Sequence, residues 1–223
     1  MRRGSIGANG LSGAGETRWP DETASDLSKQ PGETSQALRA DAARNVQRIL
    51  GAATRVLADN RGAGMAEIAT ASGLARATLY RHFPTRDDLL AAIRAQAYDD
   101  AAAAIEACRL DEGTASEALR RLIEALVAVG DRYRFLQKES EGEPAGAPRT
   151  KREDRLRRPV LAMIKRGQRN GEFASDLTPT WVARTLAALI PTALRAIEEG
   201  EISSEDAALL VYRTALSGVV APA

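Results

Sequence analysis

The spacing of apolar residues constrains this chain most, because it follows the period of an α-helix through most of the sequence after Asp41. In the first such segment the apolar residues recur at i, i+3, i+4, i+7, i+10 and i+11: Val46, Ile49, Leu50, Ala53, Val56 and Leu57. That pattern places them on one face of an amphipathic helix. Later segments show the same period and none alternates as a strand would, so we expect about eight helices. The predicted fold class is all-α.

Composition excludes several classes of site. Of the 223 residues, 44% are hydrophobic, enough for a core that needs no disulfide or metal. The single cysteine, Cys108, and the single histidine, His82, exclude an internal disulfide and a four-ligand Cys/His zinc site. We therefore predict no catalytic residues, no metal and no cofactor. No apolar run is long enough for a signal peptide or a membrane span, so we expect a cytoplasmic protein without membrane contact.

Charge and composition divide the chain into three predicted parts. Residues 1–38 are rich in Gly, Ser, Thr, Glu and Pro, and their scattered apolar residues predict a disordered arm. Residues 39–86 carry a net charge of +5, and residues 87–223 a net charge of −3. A small basic module joined to a larger acidic one is typical of a protein whose basic part binds a polyanion.

The basic module contains the pattern of a helix-turn-helix. A short helix over 65–71 is followed by the turn Ser72-Gly73-Leu74 and by a second helix over 75–82, which Pro84 ends. The helical period places three residues of the second helix toward the protein interior: Ala75, Leu79 and Phe83. It places three others toward solvent: Ala77, Tyr80 and Arg81. A slim outer face with a cation and an aromatic ring suits the major groove of DNA.

Residues 45–93 resemble the DNA-binding region of the TetR family of bacterial regulators. The resemblance is carried by RIL at 48–50, by Ile68-Ala69 and Gly73-Leu74, and above all by TLYRHFP at 78–84 with Arg86. It implies a homodimer that pairs through its last two helices and reads double-stranded DNA at a near-palindromic operator. It also implies that residues 87–223 form a ligand-binding and dimerisation domain. The expected protein is a repressor that a small molecule releases from its operator.

The resemblance also implies which side chains contact DNA. Arg76, Ala77 and Tyr80 match positions that meet bases, and Thr78, Tyr80, His82 and Arg86 match positions that meet phosphates. Arg81 joins this set from its outward position, although it could also be solvated. His82 could instead pack beside Phe83. Arg86 is unfavourable near a helix N-terminus, and a nearby phosphate would explain it.

Two positions depart from the family's pattern and leave a second interpretation open. Gly64, Met65 and Ala66 stand where the family usually has a capping Ser or Thr, and Ala75 replaces the usual cap of the second helix. A missing cap costs about 1 kcal/mol, and fewer phosphate contacts predict a shallower salt dependence. The alternative is a helical ligand-binding or interaction protein with a degenerate DNA-binding head. An enzyme is a further alternative, but the glycines at 62–64 lack the lysine and strand of a phosphate loop.

The regulatory part offers weaker signals. The candidate pocket residues share an aromatic or long apolar side chain, which equally suits a core: Tyr133, Phe135, Met163 and Trp181. Pro191 should kink or interrupt its helix, which could make room for a ligand or shape the dimer surface. The run RTKREDRLRR at 149–158 is either a solvated helix face or a second nucleic-acid patch. Cys108 is expected in the core rather than as a redox sensor. The apolar faces predict an apolar or amphipathic effector.

Overall fold

The computed structural model describes residues 31–136 and 151–219, and every regular element in those ranges is a helix. The eight helices are α1 (Pro31–Asp59), α2 (Met65–Ser72), α3 (Arg76–His82), α4 (Arg86–Ala107), α5 (Ala115–Arg132), α6 (Lys151–Arg169), α7 (Pro179–Glu198) and α8 (Ser204–Val219). The all-α prediction is confirmed. None of the helices in the described part of the chain combines the length and apolarity needed to cross a membrane.

Local capping determines where several helices begin. Thr114 accepts a hydrogen bond from the Glu117 backbone N–H at 3.1 Å, and the Glu117 carboxylate accepts from the Thr114 N–H at 3.0 Å. This reciprocal capping box begins α5. Thr178 caps α7 through a single bond, which it accepts from the Trp181 N–H, with Pro179 at the first helical position. A further capping box between Thr85 and Asp88, not predicted, begins α4.

Two helices differ from what the sequence predicts. α1 begins at Pro31 rather than near Asp41, so residues 31–38 of the predicted disordered arm are helical. Proline suits a first helical turn because the N–H that it lacks has no partner there. α7 runs through Pro191 without interruption, so the predicted interruption is wrong, while a kink at Pro191 stays a prediction. Proline lacks the N–H for one helical hydrogen bond, and burial of the following Ala193 and Leu194 favours the helix there. The remainder of the predicted arm, residues 1–30, lies outside the described residues.

Residues 43–223 form one compact unit, which contains two hydrophobic cores. We call α5, α6, α7 and α8 the body, and its core includes Leu119, Ile164 and Phe173. We call α1, α2 and α3, with the loops between them, the head. The first half of α4 contributes Leu89 to the core of the head. This core also includes Tyr133, Phe135 and Leu136, the residues that directly follow α5: the head therefore takes core residues from beyond the predicted boundary at residue 86. That boundary stays a prediction.

Close packing of α6 against α5 depends on Gly167. A Cβ built there would overlap the Phe173 ring and lie 2.8 Å from the Ala115 Cβ. We expect Gly167→Ala to lower the free energy of unfolding by about 1–3 kcal/mol, as overpacking does. Gly51→Ala is the matched control, because no atom lies within 4 Å of its added Cβ and alanine favours the helix. Urea denaturation of both variants measures the difference, and equal stabilities would contradict the packing described.

Asp100 on α4 fixes the end of α5. The Tyr133 hydroxyl donates to Asp100 Oδ2 at 2.8 Å, Arg132 Nη1 donates to the same oxygen at 3.2 Å, and Gln96 donates to Oδ1 at 2.7 Å. Burial, together with the hydrogen bond to Asp100, raises the pKa of Tyr133 from 10.0 to about 12. The neutral phenol is therefore part of the folded structure.

Stability should decrease at high pH because of this tyrosine. The folded state keeps the Tyr133 proton between about pH 10 and pH 12, whereas the unfolded chain loses it, so the free energy of unfolding falls across that window. We expect Tyr133→Phe to remove this part of the pH dependence, measured by denaturant unfolding at several pH values. Tyr98→Phe, at an exposed position on α4, is the control. An unchanged slope in Tyr133→Phe would show that this proton is not responsible.

Candidate nucleic-acid interface

The orientation of α3 follows from the turn that joins it to α2. Gly73 adopts the left-handed backbone conformation (φ 65°), which glycine accepts without strain, and its N–H bonds the Thr70 carbonyl at 3.0 Å. Arg48 of α1 donates to the Ser72 carbonyl at 3.1 Å, which ties the turn to the first helix. Beneath it Ile68 and Leu79 are fully buried. The turn and the core together hold α3 against the head.

The outer face of α3 is open to solvent. Leu79 and Phe83 are buried, as the period predicts, whereas Tyr80 is 47% exposed. Three further predicted contact residues are exposed with it: Arg76, Ala77 and Arg81. Ala75 is exposed rather than inward, because it is the N-cap residue before the first helical turn. α3 carries two arginines and no acidic residue, so this face attracts anions.

Two other predicted contacts lie at the edge of that face. Thr78 is half-buried, and its hydroxyl accepts a long hydrogen bond from Arg81 Nη2 at 3.5 Å. His82 is also half-buried, with its ring centroid 6.5 Å from that of Phe83 at a tilt of 48°. Both side chains therefore have one side toward the head and one toward solvent.

Arg86 is engaged within the head. Its guanidinium donates to the Ala63 carbonyl at 2.5 Å and to the Arg61 carbonyl at 2.6 Å. These two bonds clamp the loop between α1 and α2, which explains a cation at this helix start without a phosphate. A phosphate contact by Arg86 stays a prediction, and any such contact would use its remaining donors.

The loop held by Arg86 also contacts the body of the protein. Arg61 forms an ion pair with Glu198 at 2.8 Å, and both side chains are at least partly shielded (35% and 24% exposed). Glu198 is the last residue of α7. The sequence offered no signal for this pair, because its members are far apart in the chain. As the sequence predicts, neither Gly64 nor Ala75 makes a side-chain capping bond.

The body contains an apolar cavity of about 510 Å³ between α4, α5, α6 and α7. Most of its lining is aliphatic: Ile105, Leu119, Leu122, Ile123, Leu126, Leu156, Val160, Leu186 and Ile190. Ile190 directly precedes Pro191, and three charged side chains complete the wall: Glu153, Arg157 and Arg184.

None of the four predicted pocket residues lines this cavity. Tyr133 and Phe135 belong to the head core, and Met163 is buried in the body core. Trp181 is 61% exposed on α7. Large side chains fill space where helices pack closely, so aliphatic residues are left to surround the void. A ligand contact by any of these four residues stays a prediction.

Three of the exposed large apolar side chains in the described ranges lie on the last two helices. Trp181 on α7 is 61% exposed, and Leu209 and Leu210 on α8 are 56% and 39% exposed. Exposed large apolar groups on adjacent helices are typical of a protein interface. α7 and α8 also pack against each other through the body core.

The basic run at 149–158 is partly neutralised within the chain. Arg152 pairs with Asp99 at 3.2 Å and Arg155 pairs with Glu106 at 2.9 Å, so α6 is bonded to α4. These pairs favour the solvated helix face over a second nucleic-acid patch, while residues 149 and 150 lie outside the described residues. Cys108 is buried, and burial raises the pKa of its thiol, which favours packing over redox sensing.

Comparison with known proteins relates the helix-turn-helix to a family of bacterial regulators. Residues 49–93 match the sequence model of the bacterial regulatory proteins of the tetR family. The chain is 35% identical over 98 residues to the HTH-type transcriptional repressor LfrR of Mycolicibacterium smegmatis, covering 44% of this chain and about half (52%) of that repressor. It is 28% identical over 186 residues to the HTH-type transcriptional regulator NfxB of Pseudomonas aeruginosa, covering 79% of this chain and 95% of NfxB.

The fold is shared with a solved regulator over nearly its full length. The crystal structure of LfrR from Mycobacterium smegmatis in complex with proflavine superposes with a TM-score of 0.62 at 27% identity, covering 81% of this chain and 99% of LfrR. The sequence match covers the helix-turn-helix, and the shared fold extends over the body. Residues 49–93 thus carry the sequence pattern of the tetR family of bacterial regulatory proteins, and the fold resembles that of a TetR-like regulator.

Proposed function

We propose that the protein is a homodimeric, sequence-specific repressor whose operator binding is relieved by a small molecule. The observation that carries this proposal is the outer face of α3. A helix fixed by a buried side presents Arg76, Ala77 and Tyr80 to solvent, with no acidic residue among them. A slim cationic helix of this kind fits the major groove, where arginine can bond guanine through two donors.

The DNA contacts divide into two sets. Arg76 and Tyr80, with Ala77 between them, read base edges, and Thr78, Arg81 and His82 contact the phosphates at the rim of the groove. The missing side-chain caps at Gly64 and Ala75 remove two hydroxyls that could bond phosphate. Binding should therefore depend less steeply on salt than in members that have them.

Dimerisation supplies the second half of the recognition surface. The exposed Trp181, Leu209 and Leu210 support pairing of α7 and α8 with their copies in a second chain, where their apolar surface would leave water. A twofold dimer presents two α3 helices to two half-sites, which requires a near-palindromic operator.

The cavity is the proposed effector site. The cavity lies in the body, and α5 lines it through Leu122 and Leu126. The same helix leads directly into Phe135 and Leu136 of the head core. A ligand that separates α5 from α7 would thus move core residues of the head. The LfrR structure that holds proflavine supports a small-molecule site in a body of this fold.

A second connection leads from the cavity to the head. α7 lines the cavity through Leu186 and Ile190 and ends at Glu198, which pairs with Arg61 of the head loop. Arg86 clamps the same loop to α4. The dimer has one arrangement that can hold two half-sites and one that cannot. An effector would release DNA only if it binds the second arrangement more tightly than the first.

Selection from random double-stranded DNA with the purified protein tests the proposal. At two salt concentrations we expect enrichment of one near-palindromic site, with two half-sites about one helical turn apart. The absent caps favour one alternative, a helical ligand-binding protein with a degenerate head. A folded, ligand-free dimer that enriches no sequence would support that alternative and contradict the proposal.

A further inference from the structure

The cavity wall is apolar except at one place. Apart from aliphatic residues and alanines, its lining contains Glu153 and Arg157 from α6 and Arg184 from α7. Glu153 and Arg157 are half-buried, and Arg184 is exposed. The three charges thus mark the open side of an otherwise apolar site.

The two charges on α6 offset each other. Glu153 and Arg157 are four residues apart on one helix, a spacing at which opposite charges attract. Arg157 is further engaged with α7, because its Nη2 donates to the Thr180 hydroxyl at 3.0 Å. By charge, Glu153 and Arg157 therefore balance each other at the cavity wall.

Arg184 is the surplus charge at this opening. Arg184 is exposed, and within residues 31–136 and 151–219 its guanidinium makes no hydrogen bond or ion pair, so its five N–H donors are available to a ligand. The lining carries two arginines against one glutamate. An anionic group entering the opening would gain an arginine partner without breaking an existing pair, whereas a cationic group would meet that surplus charge.

We infer that the effector is an amphipathic anion, with an apolar body in the cavity and a carboxylate at Arg184. This inference rests on the proposed function, since it specifies the ligand of the same cavity. A volume of about 510 Å³ suits a drug-sized molecule. Planar guanidinium groups bind carboxylates through two parallel hydrogen bonds, so Arg184 selects the class of ligand while the aliphatic wall supplies affinity.

Three probes that share one alkyl chain isolate the effect of charge: dodecanoate, dodecanol and dodecyltrimethylammonium. Calorimetry below micelle-forming concentrations measures their binding to the full chain. We expect dodecanoate to bind about tenfold more tightly than dodecyltrimethylammonium, and to release the selected operator in fluorescence anisotropy. Arg184→Gln should remove most of this preference, and Arg184→Glu should reverse it. Arg195→Gln, an exposed arginine on α7 outside the cavity lining, is the control.

The outcomes separate this inference from the proposed function. Equal or tighter binding of the ammonium probe, or a preference that Arg184→Glu leaves unchanged, would overturn the anionic ligand. Failure of all three probes to bind a protein that still holds its operator would also overturn it, while the regulator would stand. Failure of the ligand-free protein to bind any selected DNA would instead contradict the proposed function.

Discussion

Replacing both Leu209 and Leu210 with glutamate is expected to convert the proposed dimer to a monomer and to weaken operator binding by about a hundredfold or more. These two side chains are 56% and 39% exposed on α8. Buried carboxylates facing their own copies across a twofold axis would be desolvated and would repel one another. A monomer contacts one half-site and loses the gain from simultaneous binding of two. Sedimentation equilibrium and operator titration measure the two effects.

Leu38→Glu is the matched control for oligomeric state. Leu38 is 65% exposed but lies on α1, outside the last two helices. We expect this variant to remain a dimer. A dimer that survives the paired substitution on α8 would place the interface elsewhere, and an unchanged operator affinity in a monomeric variant would remove the need for a twofold complex.

Tyr80→Ala and Arg76→Ala are expected to weaken operator binding by about 1–3 kcal/mol each, which is roughly tenfold to a hundredfold. Both side chains are exposed on α3, so their removal leaves the head core intact. Losing a base contact should also relax sequence preference at the corresponding operator position. Titration of the selected operator and of its single-base variants measures affinity and preference together.

Arg169→Ala is the control for removal of a surface arginine. Arg169 is exposed at the end of α6, in the body rather than the head. We expect it to retain operator affinity, and circular dichroism should show wild-type helicity for all three variants. If Tyr80→Ala and Arg76→Ala both bind as tightly as the unsubstituted protein, α3 is not the reading element.

Features with a local cause were predictable from the sequence. The capping box of Thr114 and Glu117 and the start of α7 at Pro179 depend on residues within one helical turn. The helix-turn-helix depends on the helical spacing of its apolar residues and on Gly73, whose left-handed conformation suits glycine. The extension of α1 back to Pro31 was missed, because the composition of residues 31–38 resembles that of the segment before it.

Features with a long-range cause were not predictable in this way. Arg86 bonds carbonyls 23 and 25 residues away, and the pair of Arg61 and Glu198 joins the head loop to the end of α7. No helical period encodes such contacts. Large, mostly apolar side chains such as Tyr133 and Phe135 fit a pocket or a core equally well. Their place in the head core depends on how the helices pack, which the sequence does not show. The aliphatic cavity is likewise a consequence of how four helices meet.

A hydroxyl-radical footprint of the ligand-free protein on the selected site shows whether a dimer reads the operator through α3. The proposal predicts two equal regions of protection related by a twofold axis and centred about one helical turn, roughly 34–36 Å, apart. Tyr80→Ala should weaken both regions together, since each half-site receives one copy of α3. A single unsymmetrical region, or protection that is uniform along the DNA whatever its sequence, would contradict a dimer that reads an operator through α3.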